Sequence, residues 1–144
     1  DLFIDELIVG GAGILKPEIV DTYKVINAHP GLIPLTRGLD SFKWAIYYQE
    51  LMGITIHQIN SDVDLGRHIH HSETSVNKDD SIETLALRHY QNEINSLCSY
   101  INSSLEFKKI DNLPLKDARK RMSFEKEHEL VKGFKAYTEI ASIK

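Results

Sequence analysis

Cysteine is almost absent. The lone Cys98 excludes an internal disulfide framework and fits a reducing, cytoplasmic setting. No block of lysines and arginines interrupts a chain whose net charge is −4, which argues against duplex DNA gripped through its phosphates and leaves RNA open. No apolar run approaches the roughly 18 residues a membrane-spanning helix needs, and no signal-peptide pattern opens the chain. Repeats and low-complexity tracts are missing too. What remains is 144 residues at 42% apolar and 26% charged composition, enough for one sizeable core and too little for two. Residues 1–144 are therefore read as a single domain. An apolar segment, Leu7 to Val9, follows almost at once on Asp1, a start that reads as cut from something longer.

Along the chain the elements alternate. "DELIVGG" is a short apolar run stopped by Gly10 and Gly11, a buried strand leaving through a glycine turn. Pro17 suits a first helical turn, so "PEIVDTY" is a short helix returning to "KVINA", a second buried strand. In "LDSFKWAIYYQEL", Asp40 or Ser41 serves as N-cap of a helix that runs until Gly53. "ITIHQI" is β-branched and reads as strand, "DVDLG" as turn, "RHIHHSETSV" as strand. A long helix follows in "DDSIETLALRHYQNEINSLCSYI", with Asp80 capping and Glu83 three residues on. Order weakens from Asn102 to Arg121, and "SFEKEHELVKGFKAYTEIA" is a terminal amphipathic helix. The pattern predicts an α/β domain with a largely parallel sheet flanked by helices.

In such sheets ligands gather outside the carboxyl ends of the strands. Asn27 and His29, in "VINAHPGLIP", stand at one such end. An amide and an imidazole placed together stabilise negative charge developing on a carbonyl oxygen, the need of an acyl transfer. Neither Ser nor Cys adjoins them, so the attacking group must come from a substrate, and an amine would serve. A carboxylate beside the imidazole would raise its pKa and help collect the proton the amine sheds. The competing reading is plain turn chemistry, for which "HPG" is ordinary.

Two stretches decide between these readings. "NAHPGLIPLTRGLDSFKWAI" and "GITIHQINSDVDLG" together resemble the formyltransferase family that uses 10-formyltetrahydrofolate, in which Asn-x-His-x-x-Leu-x-Pro precedes a helix, a Thr-x-His strand and an Asp-x-Gly turn. The resemblance implies the later part of a Rossmann-like formyltransferase domain, with Asn27, His29 and Asp64 as catalytic residues and His57 supporting them. It implies 10-formyltetrahydrofolate as formyl donor, held at Gly13, Ile14 and Leu15 from a first loop and Ile59, Val63 and Asp64 from a second. It implies an amine acceptor: a nucleotide-linked amino sugar first, because "RKRMSFEKEHELVKGFKAY" is similar to tails of enzymes acting on surface sugars, then glycinamide ribonucleotide, then methionyl-tRNA. A non-catalytic folate-binding relative is the alternative of another class. Family members carry further strand and helix units ahead of "DELIVGG", so acceptor identity is weakly encoded here, and the expectation for these 144 residues alone is little formyl transfer. Two positions depart from the family pattern: Gly31 where Ser is frequent, and Leu65 before Gly66.

Other features are read as secondary. His68, His70 and His71 offer two imidazoles on one strand face without a clear third ligand, so no metal is expected. "EKEHE" lacks the second histidine of a zinc-protease helix and reads as a solvated face. The basic run "KDARKR" is either an exposed loop or a contact for an acceptor phosphate.

Overall fold

A computed structural model of the chain describes residues 3–11, 15–60, 64 and 66–143. The elements run β1 (Glu6–Val9), α1 (Pro17–Thr22), β2 (Lys24–His29), α2 (Ser41–Tyr47), β3 (Gly53–Gln58), β4 (His68–Glu73), α3 (Ile82–Ile101) and α4 (Phe124–Ala141). The sheet order is β1-β2-β3-β4. The α/β architecture expected from the alternation is present, but the expected largely parallel sheet is corrected to a mixed one. Only β1–β2 is parallel; β2–β3 and β3–β4 are antiparallel. Segment lengths account for this. A six-residue strand spans about 20 Å and the seven-residue α2 about 10 Å. Helix α2 packs against α4, and the chain enters β3 at the end where β2 stopped, with His29 opposite Thr55. The nine-residue link from β3 to β4 likewise joins antiparallel neighbours rather than making a crossover.

Strand period 2 gives the sheet two different faces. Ile26, Ala28, Ile54 and Ile56 are buried in one cluster, with Leu97 and Tyr100 of α3 packed on it. Asn27, His29, Thr55 and His57 alternate with these residues and share the other face. Each of the three isoleucines is fully buried, and each stabilises the fold by roughly 1.5–3 kcal/mol relative to exposure. A second cluster holds α2, α3 and α4 together around Trp44, Ile46, Leu85, Phe134 and Tyr137.

Local signals were displaced by one residue at α3. Its N-cap is Ser81, whose hydroxyl accepts from the Thr84 N–H in a reciprocal box, because Asp80 is drawn into an ion pair with Arg88. Asp40 caps α2 by position, in a left-handed conformation and without a side-chain bond to the helix; its carboxylate accepts instead from the Met122 N–H at 2.9 Å. Helix α2 ends at Tyr47, earlier than Gly53 suggested. No helix among the described residues is long and apolar enough to cross a membrane.

Candidate active site

Asn27 and His29 leave β2 on the same face, two residues apart, and His57 of β3 lies directly across from Asn27. The Asn27 Nδ2 group donates to His57 Nε2 at 3.2 Å. His57 must therefore carry its ring hydrogen on Nδ1, an atom buried without a partner among the described residues. Burial, with His29 nearby, pushes the His57 pKa down to about 4, so the ring is a neutral acceptor that fixes the amide. One N–H of Asn27 stays available to a ligand.

His29 is buried and anchored through Nε2. The Thr36 carbonyl lies 2.9 Å from it, and a carbonyl only accepts, which assigns the hydrogen to Nε2. The Ser41 hydroxyl is 3.1 Å from the same atom and itself donates to the Gly38 carbonyl at 3.1 Å. This leaves Nδ1 with its lone pair directed to Asp64, whose Oδ1 is 3.6 Å away. Asp64 Oδ2 accepts from the Gly38 N–H at 2.7 Å, and its backbone sits at φ 50°, a left-handed conformation that Asp and Asn tolerate better than most residues.

The electrostatic balance at His29 differs from the expectation that a neighbouring carboxylate would raise its pKa. Asp64 does act in that direction, but burial acts more strongly, and the net shift is downward. The resting ring is neutral, ready to receive a proton at Nδ1 and to be paired there by Asp64.

Two glycines make this packing possible. A Cβ at Gly31 would meet the Thr36 carbonyl at 2.6 Å and His29 Nε2 at 2.9 Å, so any side chain there would crowd the imidazole anchor. Gly38 sits at φ 87° with the backbone of Arg119 packed against it. That approach ties the segment after Pro114 to the site, through Arg119 N–H to Arg37 O and Leu39 N–H to Arg119 O, both 2.9 Å. The basic run "KDARKR" is thus neither a free loop nor open to a phosphate at every position. Arg119 and Lys116 close on Glu50. Burial pushes the Glu50 carboxyl up, yet these two cations outweigh it and hold the pKa below the usual carboxylate range.

Sequence reasoning missed several supports. Thr55 Oγ1 donates to the Gly31 carbonyl at 2.7 Å and accepts from the Ile33 N–H at 2.9 Å, which fixes the turn after His29. His89 of α3 donates from Nε2 to the Pro30 carbonyl at 3.3 Å and accepts the Thr74 hydroxyl at Nδ1, 2.9 Å away. Ser41, Thr36 and His89 are all remote in sequence or act through backbone atoms, so no spacing announces them. Of the expected folate positions, Gly13, Ile14 and Val63 lie outside the described residues. Leu15 and Ile59 are half-buried, and the Ile59 N–H donates to the Val25 carbonyl at 2.8 Å.

An amide N–H, a buried neutral imidazole and a carboxylate behind it are gathered at the end of β2, with the Ser41 hydroxyl donating to the Gly38 carbonyl rather than to the imidazole. The arrangement is chemically suited to stabilising a developing oxyanion and moving a proton. The chain belongs to the formyl transferase family, whose profile matches residues 6–101. It is 34% identical over 86 residues to the methionyl-tRNA formyltransferase of Ehrlichia ruminantium (strain Gardel), covering 57% of this chain and 28% of the relative. To the phosphoribosylglycinamide formyltransferase of Haemophilus influenzae it is 30% identical over 96 residues, covering 64% and 45%. Its fold matches the formyltransferase PseJ from Anoxybacillus kamchatkensis, crystallised with UDP-4,6-dideoxy-4-formamido-L-AltNAc and tetrahydrofolate, at a TM-score of 0.68 and 23% identity over 96% of this chain and 77% of that one. The chain therefore spans less than half the length of the two curated relatives.

Proposed function

We propose that this chain carries the catalytic centre of an enzyme that moves a formyl group from 10-formyltetrahydrofolate to an amine. The observation that carries this reading is the convergence of Asn27, His29 and Asp64, with His29 Nδ1 facing the carboxylate at 3.6 Å. The donor supplies an electrophilic formyl carbon and a leaving nitrogen. As the amine attacks, the free N–H of Asn27 meets the oxygen that gains charge. His29 takes the amine's proton at Nδ1, Asp64 pairs with the imidazolium so formed, and the same atom returns the proton to the leaving nitrogen. His57 holds the Asn27 amide in place, and Leu15, Ile59 and Asp64 contribute to the donor's seat together with Gly13, Ile14 and Val63.

The favoured acceptor is a nucleotide-linked amino sugar. The likeness in fold to PseJ extends over 96% of the chain, against 69% for a solved phosphoribosylglycinamide formyltransferase and 88% for a solved methionyl-tRNA formyltransferase. The test is a panel of amines (a nucleotide-linked amino sugar, glycinamide ribonucleotide, methionyl-tRNA) supplied with 10-formyltetrahydrofolate to the protein as its gene encodes it, following release of tetrahydrofolate. Release with the amino sugar and not with the others is the expected result. Release with glycinamide ribonucleotide alone would replace the acceptor, and release with none would overturn the activity.

A further inference from the structure

Six cations of this acidic chain are paired with carboxylates among the described residues. Lys24 pairs with Glu6, Lys43 with Glu127, Arg88 with Asp80, Lys108 with Glu73, and Lys116 and Arg119 with Glu50. Arg67 and Lys109 are different. Both are exposed, and neither makes an ion pair or side-chain hydrogen bond with another described residue. Both line one cavity of about 690 Å³, together with Gly66, His68, Phe107 and Leu115.

The cavity adjoins the reacting residues. Gly66 in its wall follows Asp64 by two positions, and His68 is the ladder partner of His57, the ring that holds Asn27. Phe107 and Leu115 are 72% and 69% exposed, so apolar surface lies beside the two cations. Two unneutralised cations with an aromatic ring and an aliphatic side chain around one hollow suit a multiply charged anion attached to an organic body.

We propose that this cavity is an anion subsite of the active centre, in which Arg67 and Lys109 hold the charged end of a substrate. The assignment rests on the formyl-transfer reading for which substrate is meant, since two qualify: the phosphates of a nucleotide-linked acceptor, and the carboxylates of a γ-glutamyl tail on the folate. His68 adds a third polar contact. Its ring is held below the usual histidine pKa by burial and then by Lys109, so it acts as a neutral donor, and the charge complement belongs to Arg67 and Lys109.

The experiment needs no turnover, so it fails independently of the formyl-transfer assay. The 15N-labelled protein is titrated with inorganic diphosphate and, separately, with tri-γ-glutamate, following backbone amide shifts at low and high salt. Saturable shifts centred on residues 66–69 and 107–109, weakened at high salt and at least tenfold weaker in the Arg67→Ala/Lys109→Ala double variant, are expected. Both side chains are exposed, and an unchanged amide spectrum elsewhere verifies that the variant is folded. Tighter binding of diphosphate assigns the subsite to the acceptor, and tighter binding of triglutamate assigns it to the donor tail. Absence of saturable shifts with both probes, or saturable shifts that persist in the double variant, overturns the proposal.

Discussion

His29 of β2, His57 of β3 and His71 of β4 share burial and a pKa held below the ordinary histidine value, but they differ in what surrounds them. His29 is held by the Thr36 carbonyl and the Ser41 hydroxyl on one nitrogen and faces a carboxylate with the other. His71 accepts the Ile110 N–H at 3.0 Å, and His70 donates to the Glu106 carbonyl at 2.7 Å, so the β4 pair staples the chain after α3 to the sheet edge. "RHIHH" invites a metal reading; in the fold, two of its three rings are occupied by backbone groups. A histidine's task is set by whether its second nitrogen meets a charge that can follow a proton. His29 has such a partner, whereas His71 accepts a backbone amide at Nδ1 and its Nε2 meets no partner among the described residues.

Acid provides the largest test because it strikes both groups. Burial holds His57, His71 and His89 at pKa values of about 4, against an ordinary 6.5. The unfolded chain therefore binds more protons between these limits, and stability falls as pH drops from 6.5 towards 4. Each ring is expected to remove about 2 kcal/mol by pH 5, a large fraction of a typical domain's total stability. Urea midpoints measured from pH 7.5 to pH 4.5 check this, and a flat profile across that range would contradict the buried neutral rings.

Asp64→Asn separates the two groups. Asn tolerates φ 50° and keeps an oxygen for the Gly38 N–H, so the fold should survive while the charge behind His29 is lost. Turnover is expected to fall by about 10²–10⁴, the usual range for a lost acid–base partner, with tetrahydrofolate binding still measurable. Near-normal rates would remove Asp64 from the mechanism. The matching change on β4, His71→Leu, leaves the Ile110 N–H unpaired, and about 1–3 kcal/mol of stability is expected to go. Its kcat should match the parent's at a temperature where both are folded; a selective loss of kcat would show that the β4 histidines reach the chemistry.

Much of this was legible in the residues. β-branched runs and capping signals located the strands and long helices, and Asn27, His29 and Asp64, singled out by their order in the sequence, come together at the end of β2. Strand direction was not legible, because it depends on where α2 packs, which no local pattern in "LDSFKWAIYYQEL" records. Nor was the net charge state of His29. The presence of Asp64 is written in the sequence, but the depth of burial that outweighs it comes from Thr36, Ser41 and the turn fixed by Thr55. Ser81 displaced Asp80 as the cap of α3 for a similar reason, since a tertiary ion pair with Arg88 claimed the carboxylate.

The smallest expected effect is at Ser41. Its side chain is 2% exposed and bridges His29 Nε2 to the Gly38 carbonyl, while the Thr36 carbonyl holds the same ring nitrogen independently. Ser41→Ala should therefore leave the Nε2–H tautomer in place and loosen it. One neutral hydrogen bond is worth about 1 kcal/mol, which sets the expected fall in kcat at about fivefold, with KM for both substrates unchanged because the hydroxyl points at the ring rather than the donor's seat. A parallel rise in KM would mean that the hydroxyl shapes the substrate pocket. An unchanged kcat would mean that Thr36 alone orients the imidazole. Either result would narrow the difference between His29 and the β4 histidines to the single carboxylate of Asp64.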